Sequence, residues 1–146
     1  MGVISFFFFR LLSRSLCVDF SDTSGPEEYV SMLESYCSTA DIVFVCLNLT
    51  ERKAFEDMEL RLNVARRHCK TVFAVGTMMD RVNDRKISKE EARAHFERMD
   101  PPVPFYCEVS SKTGEGVQEL FENAVREWVL SHNDYREKTE KTCIIS

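Results

Sequence analysis

Apolar runs that suit buried strands alternate along this chain with segments whose apolar residues recur at helical spacing. The runs are Leu16 to Phe20, Ile42 to Leu47, Thr71 to Gly76 and Phe105 to Val109. After the second run Thr50 offers a helix N-cap before Phe55, Met58, Leu62 and Ala65, which are spaced three, four and three apart. After the third, Ser88 and Glu91 form a capping box leading into Ala92, Phe96 and Met99, and Pro101 and Pro102 stop that helix. After the fourth, Val117, Leu120, Phe121, Ala124, Val125 and Trp128 make one stripe of a long helix. Phe121 and Trp128 are read as core. Repeated strand-helix alternation predicts an α/β fold, a mainly parallel sheet flanked by helices on both faces. From His132 onward the sequence turns polar and charged, a flexible tail.

Composition narrows this picture. One domain with a real core fits 146 residues, and an acidic pI near 5.3 argues against a nucleic-acid surface. The six cysteines include no Cys-x-x-Cys pair and several sit inside apolar runs, so reduced cytosolic thiols are expected rather than a zinc site or disulfide framework.

Four landmarks carry chemistry. Asp22-Thr23-Ser24-Gly25-Pro26-Glu27-Glu28-Tyr29 follows the first run and places a carboxylate and a small glycine where a buried strand ends. This resembles the Asp-x-x-Gly switch of Ras-like small GTPases. Thr77-Met78-Met79-Asp80 after the third run stands where that family carries Asn-Lys-x-Asp, and Asp80 keeps the carboxylate that accepts two hydrogen bonds from guanine. Thr77 is shorter than asparagine, and Met78 keeps only apolar contact. Ser110-Ser111-Lys112 after the fourth run is similar to the family's Ser-Ala-Lys, in which the middle amide meets the base carbonyl. The terminal Cys143-Ile144-Ile145-Ser146 reads as a farnesylation signal.

The resemblance implies an incomplete Ras-like P-loop GTPase fold. Residues 1–15 form a divergent apolar N-terminus, 16–131 the truncated G domain and 132–146 the tail with its prenylation box. It implies GTP or GDP and Mg²⁺ as cofactors. Asp22 and Gly25 would lie at the metal and γ-phosphate, and Thr77, Asp80, Ser110, Ser111 and Lys112 at guanine. The chain contains no Gly-x-x-x-x-Gly-Lys-Ser/Thr, and the 21 residues before Asp22 are fewer than the ~30 of a strand-helix-strand unit, so the phosphate loop and the first switch are expected to be missing. Pro26 stands where the family has the glutamine that orients water, and proline supplies neither side-chain nor backbone donor, so no catalytic residue is assigned.

Base contacts alone total roughly 3 to 6 kcal/mol, a dissociation constant between several millimolar and tens of micromolar. Loss of the family's central strand would leave a gap, for which Val3 to Phe9 is a candidate, as the central strand itself or as an edge strand hairpinned through Ser13-Arg14-Ser15. Alternatives for this run are a segment without native structure or a signal segment. Arg10 and Arg14 follow the apolar core rather than precede it, and the run is shorter than the ~20 residues of a membrane span. A nucleotide-independent adaptor or an incomplete gene product is the alternative to a GTP-binding switch. The expectation for partners is a monomer on the cytosolic face of a membrane, the plasma membrane for a Ras-type box, held through Cys143 and engaging protein effectors or regulators.

Overall fold

The computed structural model describes residues 6–9 and 30–131, with side chains from Glu34 onward. The elements in order are β1 (Phe6–Phe9), α1 (Val30–Thr39), β2 (Ile42–Asn48), α2 (Arg52–Glu56), α3 (Met58–His68), β3 (Thr71–Thr77), α4 (Lys89–Arg98), β4 (Tyr106–Glu108) and α5 (Val117–Ser131). A short 3-10 turn, Val82–Asp84, lies between β3 and α4. The strands form one sheet in the order β1-β2-β3-β4.

The second and third strands are buried almost end to end, which is why they read as unbroken apolar runs rather than as alternation. Alternation is present all the same in which way each residue faces. Val43, Val45 and Leu47 of β2 join Val72 and Ala74 of β3 in a core shared with Cys37, Phe55, Leu62, Ala65, Ala92 and Phe96 from the first four helices. Ile42, Phe44 and Cys46 point the other way and meet Phe73, Val75 and the α5 residues Leu120, Ala124 and Trp128. Phe44 contacts Phe73 and Phe121 edge to face at 5.6 and 5.7 Å. The helix stripe read from the sequence is therefore the buried face of α5, with Leu120, Ala124 and Trp128 buried and Phe121 partly covered. The α/β expectation holds, helices lying on both faces of three parallel strands.

Several local expectations are met and others corrected. Ser88 Oγ accepts from the Glu91 amide at 3.1 Å, as a capping box requires. The Glu91 carboxylate also receives Arg52 Nη2 at 2.6 Å, and this bond, followed by the Ser88 amide, holds it below the usual carboxylate range. Thr50 does not cap a helix. Its amide and hydroxyl both donate to Asn48 Oδ1, at 2.9 and 2.8 Å, so Thr50 belongs to an asparagine turn and Glu51 takes the N-cap position without a side-chain bond. The helix starts instead at Arg52, and the single helix expected beyond Thr50 is two, meeting at Asp57. Helix α4 ends at Arg98, before Pro101 and Pro102, and Asp100-Pro101 is a cis peptide. Arg66 Nη2 donates to the Pro101 carbonyl and ties this turn to α3.

The strand expected over Phe105 to Val109 is shorter by element bounds, yet Ala74 N donates to Phe105 O at 2.9 Å and Val109 N to Gly76 O at 2.7 Å, so the ladder reaches both ends. Of the Val3 to Phe9 run, Phe6–Phe9 is a strand, and it lies at the edge of the described sheet beside β2. It runs antiparallel, Phe6 opposite Val45 and Phe9 opposite Ile42, so the sheet is mixed. The Leu16 to Phe20 run, the Ser13-Arg14-Ser15 turn and the tail from His132 lie outside the described residues.

Packing of α4 depends on Phe96, which is 1% exposed and contacts Phe55 and Tyr106. Phe96→Ala is expected to cost about 3–5 kcal/mol, and Ser88→Ala about 1 kcal/mol, in urea unfolding. A Phe96→Ala loss equal to that of Ser88→Ala would contradict the docking of α4 described here.

Candidate functional site

In a parallel sheet the segments leaving the carboxyl ends of neighbouring strands emerge side by side, which is where ligands of such folds bind. Here those segments are Thr77 to Asp80 after β3 and Ser110 to Lys112 after β4. Two backbone bonds stitch them together, Met79 N to Val109 O at 3.2 Å and Val109 N to Gly76 O at 2.7 Å. Ser110, fully buried, donates its hydroxyl to Asp80 Oδ1 at 2.7 Å and accepts the Thr113 amide at 3.2 Å. The Ser110 bond is the leading reason that the Asp80 carboxyl sits below its usual range; burial opposes it, and Asp80's own amide, Lys112 and Arg81 add to the lowering. Asp80 is thus an ionised acceptor with one oxygen committed to Ser110 and lone pairs left over.

The loop after Ser110 is shaped by glycines. Ser110 N donates to Glu115 O at 3.0 Å and Gly114 N to Ser110 O at 2.8 Å. Gly114 and Gly116 have φ of +81° and +74°, and a Cβ on Gly116 would stand 2.5 Å from the Glu108 carbonyl oxygen, so only glycine fits. Ser111 and Lys112 are exposed at the rim.

Of the sequence-predicted residues, Asp80 and Ser110 meet directly, and Ser111 and Lys112 share their loop. Thr77 turns elsewhere. Its hydroxyl donates to the Leu47 carbonyl at 3.0 Å and so ties β3 to β2. Met78, next to it, is 41% exposed with φ +62°, an uncommon conformation for a residue with a Cβ. Asp22, Gly25, Pro26 and Cys143 lie outside the described residues. Among the described residues, no group of three or more His, Cys, Asp or Glu converges as a metal site.

Sequence reasoning missed the group that holds the two loops in register. Glu108, inside the apolar run of β4, is buried and accepts a two-pronged contact from Arg85, Nη1 to Oε2 at 2.9 Å and Nη2 to Oε1 at 2.6 Å. Tyr106 OH donates to the same Oε1 at 2.6 Å, and Arg85 Nε donates to the Ile87 carbonyl at 2.6 Å. Burial pushes the Glu108 carboxyl up, but the bonds from Arg85 and Tyr106 outweigh it and leave it lower than usual. Burial, then donation to Glu108, keeps the Tyr106 phenol protonated. A charged residue in a buried strand was the available signal, because such residues are seldom buried without a partner.

The Ras family profile matches residues 9–130. The chain belongs to the Ras family. It is 30% identical over 114 residues to "Protein ras-1" of Neurospora crassa, covering 75% of this chain and 52% of that one. It is 29% identical over 117 residues to "Circularly permutated Ras protein 1" of Dictyostelium discoideum, covering 77% and 14%. To "Ras-like protein 1" of Saccharomyces cerevisiae it is 27% identical over 113 residues, covering 75% and 36%. The chain therefore spans about half or less of the length of these relatives. In this Ras family member, Asp80 and Ser110, which the sequence singled out in two separate motifs, are joined by a direct hydrogen bond.

Of the residues that would hold a guanine, Asp80 has the donor-accepting chemistry and Thr77 is turned into the sheet. An ionised carboxylate accepts but cannot donate, so the free lone pairs of Asp80 suit a ligand edge with adjacent N–H donors and reject adenine's acceptor nitrogen.

Arg85→Ala would strand the buried Glu108 carboxylate, at an expected cost of about 3–5 kcal/mol at neutral pH. The paired carboxyl has a lowered folded pKa, so its contribution is present above the unfolded carboxylate pKa and is lost as pH falls through the folded one. In the variant, burial, the largest single effect, is opposed only by the Tyr106 bond and the charge of Lys89, so that pKa rises and the penalty should shrink on acidification. Unfolding midpoints measured from pH 7 to pH 4 test this, and a penalty independent of pH would refute it.

Proposed function

We propose that this Ras family chain is a signalling protein anchored to the cytosolic face of a membrane through Cys143, retaining weak guanine recognition through Asp80 but degenerate in nucleotide retention and hydrolysis. The observation that carries the reading is the Ser110-Asp80 hydrogen bond, which holds an ionised acceptor at the carboxyl ends of β3 and β4. An acceptor kept in place before ligand arrives loses less freedom on binding. Degeneracy is supported by the sequence. Met78 supplies no cation over the base, Thr77 spends its hydroxyl within the sheet, and Pro26 has no donor for an attacking water.

Attachment rests on Cys143-Ile144-Ile145-Ser146. Arg136, Lys138 and Lys141 near it are offset by Glu137 and Glu140, so one prenyl chain gives reversible binding. Among the described residues no helix is long and apolar enough to cross a membrane. Signal output passes through protein effectors or regulators docking on the helices. The four described cysteines, Cys37, Cys46, Cys69 and Cys107, are in no disulfide. Burial first, then neighbouring Cys69 and Glu34, pushes the Cys37 thiol up to about 12, which disfavours the reactive thiolate. Cys143 is the cysteine assigned to chemistry.

Fluorescent GTP and GDP titrations, with the same analogues of ATP, test the base site. Weak guanine-selective binding is expected, and Asp80→Ala should weaken it roughly 10- to 100-fold, corresponding to a charge-assisted hydrogen bond. Turnover of GTP should not exceed the rate without protein. A cooperatively folded chain that binds no guanine nucleotide would leave a prenylated adaptor. For the anchor, the purified chain with farnesyl transferase and farnesyl diphosphate should partition to liposomes, and Cys143→Ser should stay in the supernatant. Equal partitioning of the two would remove the lipid from the account.

A further inference from the structure

We propose, building on the guanine reading above, that the site takes guanine at the level of the nucleoside, its affinity indifferent to the number of phosphates and to Mg²⁺. A phosphate site of the kind found in nucleotide-binding α/β folds needs several free backbone amides converging at the carboxyl end of a strand. After β2 those amides are already committed. Leu49 N donates to Thr77 O at 3.2 Å, Thr50 N to Asn48 Oδ1 at 2.9 Å, and Glu51 N to Asn48 O at 3.1 Å. Three successive donors that border the site are thus turned inward, and each is held by a different acceptor.

Strand β1, on the far side of β2, does not itself end at the site. A strand parallel to β2 would end at the site and release its following loop there. Strand β1 runs the other way, with Phe9 opposite Ile42, so the chain leaves β1 at the amino ends of the parallel strands. The site lies at the opposite ends, where Asn48 pairs with Thr77, about 20 Å away along β2 at ~3.3 Å per residue. Charge acts in the same direction. The chain carries a net charge of −5, and of the two cations that act on Asp80, Arg81 is engaged by Asp84 through two bonds to Oδ2 at 3.0 and 2.7 Å, which leaves Lys112 at the rim. Each added phosphate brings more negative charge toward a site whose central group is an ionised carboxylate. The base side is assembled and the described phosphate side is closed.

The full 146-residue chain is titrated with guanosine, GMP and GTP, each with and without Mg²⁺, by ¹H–¹⁵N NMR. Adenosine is the control, and inorganic tripolyphosphate the competitor. Guanosine, GMP and GTP should bind with affinities within about threefold of one another, unaffected by Mg²⁺ or tripolyphosphate. A rise of about tenfold or more from guanosine to GTP, or dependence on Mg²⁺, would overturn the nucleoside-level site and bring Asp22 and Gly25 into the account, leaving guanine recognition intact. A dispersed, folded spectrum that none of the three guanine compounds perturbs would overturn both.

Discussion

Arg85 and Glu108 make the contact on which the arrangement of this site depends. Arg85 follows the 3-10 turn just beyond Asp80, and Glu108 ends the strand that leads to Ser110, so their two-pronged bond joins the two segments that must face one another. Its distances match a charge-assisted pair, and the remaining bonds, to Tyr106 and the Ile87 carbonyl, satisfy groups that would otherwise be buried unmet. A hydrophobic substitute of equal volume could pack as well, but it would not set direction. The pair fixes which way each loop leaves the sheet.

With the loops so held, a smaller contact becomes useful. Ser110 bridges Asp80 and the Thr113 amide from a position without solvent exposure, and this single hydroxyl orders a carboxylate at the rim. The same economy closes other possibilities. Asn48 gathers Thr50 and Glu51 into a turn, and Thr77 bonds to Leu47 across the strands. These contacts stabilise the carboxyl edge of the sheet and use up donors that a larger ligand would need.

Family membership and present chemistry are separate matters in this chain. Residues 9–130 match the Ras family, whereas positions 77, 78 and 26 carry threonine, methionine and proline, and Thr77 bonds to the Leu47 carbonyl. Retention of Asp80 with loss of its neighbours is physically coherent. A carboxylate fixed by Ser110 keeps its acceptor geometry without them.

The sequence by itself determined the α/β alternation, the buried stripe of α5 and the Ser88 cap, because each follows from residues close along the chain, through apolar period or a side-chain oxygen three residues from an amide. It also singled out Asp80 and Ser110, since short motifs after apolar runs name the carboxyl ends of strands, and the two are bonded to one another. Only the tertiary structure decided that Thr77 turns into the sheet, that Asn48 rather than a helix claims Thr50, that Glu108 has a partner 23 residues away, and that β1 lies antiparallel beside β2. Strand direction and long-range polar pairing depend on which segments become neighbours. That is set by burial of the whole sheet, and nothing in a local window of sequence records it.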